Sequence, residues 1–173
     1  MDSCNLSPRK SEKRANDLEW EHIVPASWFH QGRWCARDEV REVFCKSSSG
    51  TVSDARKCCD KLDSKYRAFE SDLYNLRPAA GEINGDRSNR RYGEVTGEGR
   101  SYGACDMEVS FESDLAEPAT SVRGNVARAV FYMAERYGFR LSREEMASAV
   151  DLGGYYQIPA DNRDLNYAKF VFE

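Results

Sequence analysis

The chain has 173 residues, a formal net charge of −4 and a pI of about 5.4. That length is enough to bury a real core and suits one domain, residues 1–173. The acidic balance excludes a global positive field of the kind that draws a whole surface to nucleic acid, so any phosphate-binding region must be a local groove with salt-sensitive affinity.

Residues 1–17 are polar and of mixed charge, with Arg9, Lys10, Lys13 and Arg14 as a small basic cluster. A solvated arm or exposed helix is preferred over a phosphate contact. No apolar run occurs in residues 1–20, so a signal peptide is expected to have been removed or trimmed. No stretch approaches the roughly 18 apolar residues of a membrane span.

Residues 19–27, Glu-Trp-Glu-His-Ile-Val-Pro-Ala-Ser, read as a strand that Pro25 ends. They hold His22, one of only two histidines in the chain; the other is His30. Glu21 sits directly beside it. Neighbours on a strand face opposite ways, so the two converge only if the backbone bends. An imidazole next to a metal-binding carboxylate suits the activation of water. The competing reading is a histidine packed at a strand end.

Residues 26–70 read as a long connection. Ala26–Cys35 holds a short helix at most, Asp38–Phe44 a helical turn or two, and Lys46–Ser53 a flexible Ser-rich surface loop. A loop of this length needs staples or a function. The chain has six cysteines without a Cys-x-x-Cys pair, which favours disulfides and an oxidising compartment over zinc. Cys35, Cys45, Cys58 and Cys59 are the candidate staples. Adjacent Cys58 and Cys59 rarely bond each other. Two arrangements remain: Cys35–Cys59 with Cys45–Cys58, which is preferred, or Cys35–Cys58 with Cys45–Cys59.

Tyr66–Leu76 places Phe69, Leu73 and Leu76 at helical spacing before Pro78. Ala79–Asn84 can open a further helix, although Gly81 and Gly85 weaken it. The neutral amide oxygen of Asn84 is an acceptable ligand for a hard Mg²⁺ ion, whereas an Asn before Gly is ordinarily a turn residue. Arg87, Arg90 and Arg91 with Tyr92 fit a phosphate-contacting surface, or else a solvated basic face. Residues 93–103 are Gly-rich and suggest a turning loop. Met107, Val109 and Phe111 alternate as in a strand, just after Cys105. The clearest helix carries Val126, Ala129, Val130, Met133 and Tyr137 on one core face and ends at Gly138. Ser142–Glu145 has capping-box form and begins another. Tyr167–Phe172 could pair with an exposed sheet edge.

Glu-His-Ile-Val-Pro-Ala-Ser at 21–27 and Asp-Leu-Tyr-Asn-Leu…Gly-Glu-Ile-Asn-Gly-Asp-Arg-Ser-Asn within 72–89 closely resemble the bacterial endonuclease I family. These are secreted or periplasmic nucleases without sequence specificity. The likeness runs from about Cys4 to Val150; Tyr74 stands where the family usually has His. It implies an α+β fold of mixed helices and short antiparallel strands with a ββα-metal (His-Me) finger. It also implies one divalent cation, Mg²⁺ with Mn²⁺ or Ca²⁺ as alternatives, on Glu21 and Asn84, with His22 as general base and 5′-phosphate products. Arg56-Lys57-Cys58-Cys59 resembles the family's Gly-Gly-Arg-Lys-Asn-Cys segment, which assigns the phosphate clamp to Arg56, with Arg37 and Arg41 as alternatives. Arg123 and Arg128 resemble an Arg-Gly-x-x-Ala-Arg stretch and are expected at the groove unless helix salt bridges use them. The expected partners are double- or single-stranded DNA and also RNA, bound by a monomer; an inhibitor protein is left open. The alternative is a disulfide-stapled secreted interaction module without catalysis, which leaves the paired motifs unexplained.

Overall fold

Alternating Leu-Glu-Trp-Glu-His builds a five-residue strand, β1 (Leu18–His22), which pairs antiparallel with β2 (Leu76–Ala80) in a two-stranded ribbon. This is seen in a computed structural model that describes residues 4–97 and 99–153. Trp20 lies opposite Pro78 and His22 opposite Leu76. A ribbon of two strands tolerates Pro78, because no third strand asks for its missing N–H. The chain leaves β2 directly into helix α6 (Gly81–Arg87), which packs on the ribbon. A shorter helix, α1 (Glu12–Asn16), precedes β1 and is capped by Ser11, whose Oγ accepts from Arg14 N.

Residues 26–70, expected to be largely a connection, are mostly helical. They form α2 (Ala26–His30), a 3₁₀ turn (Trp34–Ala36), α3 (Asp38–Phe44), α4 (Ala55–Leu62) and α5 (Ser64–Glu70). Asp54 and Asp63 cap α4 and α5 by accepting from backbone amides one turn on. The buried positions of α4 are Cys58 and Cys59 rather than aliphatics, so its apolar stripe is written in cysteine. These bond to Cys45 and Cys35 respectively. A third bridge, Cys4–Cys105, ties the N-terminal arm to the loop before β4. The Ser-rich loop closes as a hydrogen-bonded turn: Ser47 N donates to Thr51 O, and Lys46 bridges to Val52. The helical spacing read through Leu76 overshoots. Helix α5 stops at Glu70, Leu73 is exposed, and Leu76 opens β2.

The second sheet has three strands in the order β3 (Arg91–Tyr92), β5 (Leu115–Pro118), β4 (Met107–Ser110), with β3 parallel and β4 antiparallel to β5. After a 3₁₀ turn (Thr120–Val122) comes α7 (Arg123–Tyr137), then α8 (Arg143–Gly153). Gly138 ends α7 in the left-handed region, φ 67°, and its N–H donates to Ala134 O. Ser142 and Glu145 exchange hydrogen bonds in a reciprocal capping box ahead of α8. The fold is α+β, and the stripe of α7 packs into one core with Ile23, Val24, Phe29, Tyr66 and Phe69. Phe29 and Phe69 stack at 4.2 Å. The strand expected at Tyr167–Phe172 lies outside the described residues.

Candidate active site

On β1, Glu19 and Glu21 share one face, and that face meets α6. Glu21 is buried; its Oε1 accepts from Arg87 Nη1 at 2.6 Å and from the Tyr92 hydroxyl at 3.3 Å. Burial pushes the Glu21 carboxyl up from its ordinary value, and Arg87 and Tyr92 oppose that shift. Asn84 donates from Nδ2 to Glu19 Oε2 at 2.9 Å. Glu19 is itself held by Arg14 through Nε and Nη2. The close approach depends on two glycines one turn apart on α6. A Cβ at Gly81 would sit 2.6 Å from Glu19 Oε1, and one at Gly85 would overlap the Arg14 guanidinium. With Nδ2 used by Glu19, Asn84 keeps Oδ1 as its acceptor. Glu21, Asn84 and Arg87 line one cavity of about 600 Å³, whose walls include Ile83, Met107 and Val126.

His22, at the end of β1, brings Nε2 within 2.9 Å of the Glu70 main-chain oxygen, the last residue of α5. Burial holds its imidazole below the ordinary value; the Glu70 carbonyl works against this. The Glu70 carboxylate accepts from Arg56 Nε at 2.5 Å, so both residues expected to act on the phosphodiester meet at Glu70. Neither is among the residues lining the cavity that Glu21 and Asn84 share. The two pairs are joined along β1 and through Arg87 Nη1, which also donates to the His22 carbonyl at 2.6 Å. Past His22 the backbone is fixed by fully buried Asn75. Its main-chain oxygen accepts from Ile23 N, its Oδ1 accepts from Val24 N, and its Nδ2 donates to Val24 O.

The expectation that Arg87 contacts nucleic acid is corrected: it is 1% exposed and serves Glu21 and the backbone of His22, Ile23 and Arg90. Arg90 is largely engaged too, donating to Asp86 O and lying over the Phe111 ring. Arg123 pairs with Glu117 and Glu94. Arg91 is half-buried on β3, and Arg128 is exposed and bonded to Asn125. The N-terminal basic cluster is tied down: Arg9 and Lys10 pair with Asp86. Sequence reasoning missed Glu70, Asn75 and Glu19. The signal for Asn75 was its place in the Asp-Leu-Tyr-Asn-Leu motif at 72–76. Among the described residues, no group of three or more His, Cys, Asp and Glu side chains is gathered for a metal ion; a pair of one carboxylate and one amide is a different arrangement.

The endonuclease I family model matches residues 1–158. The chain belongs to the endonuclease I family. It is 41% identical over 143 residues to an endonuclease-1 of Buchnera aphidicola (subsp. Acyrthosiphon pisum, strain APS), covering 83% of this chain and 51% of that protein. It is 39% identical over 145 residues to an extracellular deoxyribonuclease of Aeromonas hydrophila, 83% and 56% of the two chains. A periplasmic deoxyribonuclease of the same organism is 40% identical over 146 residues, 83% and 54%. The chain thus spans about half the length of these relatives in the endonuclease I family. No described helix is long and apolar enough to cross a membrane.

Proposed function

We propose that this chain is a single nuclease domain that hydrolyses phosphodiester bonds of DNA, and of RNA, without sequence preference, leaving 5′-phosphate ends. The observation that carries the reading is the contact of His22 Nε2 with the Glu70 carbonyl, at the residue that follows Glu21 on β1, Glu21 itself sharing a cavity with Asn84. A carbonyl oxygen only accepts, so the bonded nitrogen carries the proton and Nδ1 keeps its lone pair. Burial favours the neutral ring, which leaves His22 able to take a proton from water at pH 7. The imidazolium formed would sit against the last carbonyls of α5, where positive charge is favoured.

Glu21 and Asn84 would hold one divalent cation. Two hard oxygen donors fit an ion such as Mg²⁺, which takes few protein ligands and keeps several waters; Mn²⁺ and Ca²⁺ accept the same donors. The engaged atoms leave room for it. Asn84 uses its nitrogen on Glu19, and both side-chain bonds to Glu21 fall on Oε1. Bound there, the ion would supply neutralisation of charge on the phosphate and leaving oxygens. Arg56 would grip the phosphate through its terminal nitrogens. Contacts directed at phosphate carry no base information, which supports the lack of sequence preference. Three disulfides, and relatives named as periplasmic and extracellular enzymes, support a periplasmic or secreted location.

Nicking of supercoiled plasmid tests the reading. Wild type is expected to nick with Mg²⁺ and to stop when EDTA is added. His22→Ala is expected to lose about 10²- to 10⁴-fold in rate, the usual contribution of a general base. Nicking that persists in EDTA, or at full rate in His22→Ala, overturns it.

A further inference from the structure

We propose that the Glu70 carboxylate is the positioning residue for Arg56, so that a single residue at the end of α5 sets both the base and the phosphate clamp. The inference rests on the nuclease reading above. The main-chain oxygen of Glu70 orients His22, and its side chain aims Arg56. The manner of the ion pair decides between presenting Arg56 and sequestering it. Glu70 Oε1 meets Nε, the nitrogen nearest the stem, at 2.5 Å. Among the described residues, Nη1 and Nη2 have no hydrogen-bond partner. A fork-to-fork pair would have closed the terminal donors to a phosphate; an Nε contact leaves them open for bidentate binding.

Exposure points the same way. The Arg56 side chain is 57% exposed and that of Glu70 16%, so the carboxylate is the fixed member and the guanidinium the presented one. Both carriers are rigid. Helix α5 is anchored by Tyr66 and Phe69, each fully buried. Helix α4 is bonded at Cys58 and Cys59, two and three residues beyond Arg56. What remains free is the long arginine side chain, and the Glu70 contact removes that freedom before substrate arrives. A charged partner is also tolerable beside a polyanion here, because the guanidinium lies between the carboxylate and the phosphate it would bind.

The test is a double-mutant cycle on Arg56→Ala and Glu70→Ala, with Glu70→Gln as the conservative variant. Two readouts are used: steady-state plasmid cleavage in Mg²⁺, and affinity for a DNA duplex by fluorescence anisotropy in EDTA. Glu70→Ala is expected to lower kcat/KM about 10- to 100-fold, the scale of a misplaced contact group. The double variant is expected to lose no more than Arg56→Ala alone. Glu70→Gln keeps an oxygen acceptor for Nε and should return most of the loss. The His22 Nε2–H resonance should survive in all three, since its acceptor is main chain; it also reports that the site is folded. Additive losses, or a Glu70→Ala variant within about twofold of wild type, overturn the proposal. If wild type cuts no DNA with any divalent ion, the nuclease reading fails, and the anisotropy cycle still decides whether Glu70 acts through Arg56.

Discussion

Arg87 commits four of its guanidinium contacts to the interior, one to Glu21 Oε1 and three to the main-chain oxygens of His22, Ile23 and Arg90. Its ring-stacked position over Tyr92, 4.2 Å from the centroid, completes the enclosure. A buried pair of this kind is costly to break, because the surviving charge is left without a partner. Arg87→Ala is therefore expected to lower unfolding stability by about 3–5 kcal/mol in urea titrations. A loss under about 1 kcal/mol, as for a surface arginine, would show that Glu21 does not depend on it. This residue also marks a limit of sequence reading. Glu21, His22 and Asn84 were singled out because two motifs name them. Arg87 stood in an arginine-rich run, and nothing local distinguishes an arginine that binds phosphate from one folded under the strand. Its partner lies 66 residues away. Glu70 was illegible for a similar reason: a main-chain oxygen holds His22, and main-chain oxygens leave no trace in residue type.

Helix α6 makes its contacts on two faces. One face, with Gly81 and Gly85, admits the Glu19–Arg14 pair that orients Asn84. Propensity counted those glycines against a helix; close packing explains why they are tolerated. The other face binds the N-terminal arm. Glu82 accepts from the backbone amides of Arg9, Lys10 and Ser11, and Asp86 accepts from Arg9, Lys10 and the Tyr102 hydroxyl. Although burial opposes it, these donors hold both carboxyls below their ordinary values of 4.5 and 3.8. A carboxyl whose pKa is lower folded than unfolded stabilises the fold above its unfolded value and loses that contribution as pH falls through the folded one. The arm should therefore loosen from below about pH 4.5 downward, with no change between pH 6 and 8. Amide exchange at Arg9, Lys10 and Ser11, followed against core amides of α7, measures it. Equal protection of arm and core down to pH 3 would contradict the assignment. Helices α2 and α3 were read only as a short helix and a helical turn or two, and α4 went unread, because five to eight residues give too little periodicity, whereas the fifteen residues of α7 gave enough.

At the level of the molecule, three covalent links divide the work of holding these elements. Cys4–Cys105 closes a separation of 101 residues and joins the arm to the loop before β4. Cys35–Cys59 and Cys45–Cys58 close only 24 and 13, and both fix α4. The cysteine count signalled stapling and the crowding around residues 35–59, but Cys4 and Cys105 are too far apart in sequence for spacing to suggest a pair. If these links act mainly by restricting the unfolded chain, their contributions should follow loop length: about 4.7 kcal/mol for a loop near 100 residues and about 3 kcal/mol for one near 15. Paired serine substitutions separate the terms. Cys4→Ser with Cys105→Ser should cost more global stability than Cys45→Ser with Cys58→Ser, read as the midpoint shift in urea at constant m. Function should rank the other way. The short link lies two residues from Arg56, so its loss should cost more activity per unit of stability than loss of the long one. If the long link proves the cheaper in stability, native packing of the arm through Glu82 and Asp86 is holding that end instead. The acid-dependent exchange of the arm would then deepen in the Cys4→Ser, Cys105→Ser protein only slightly.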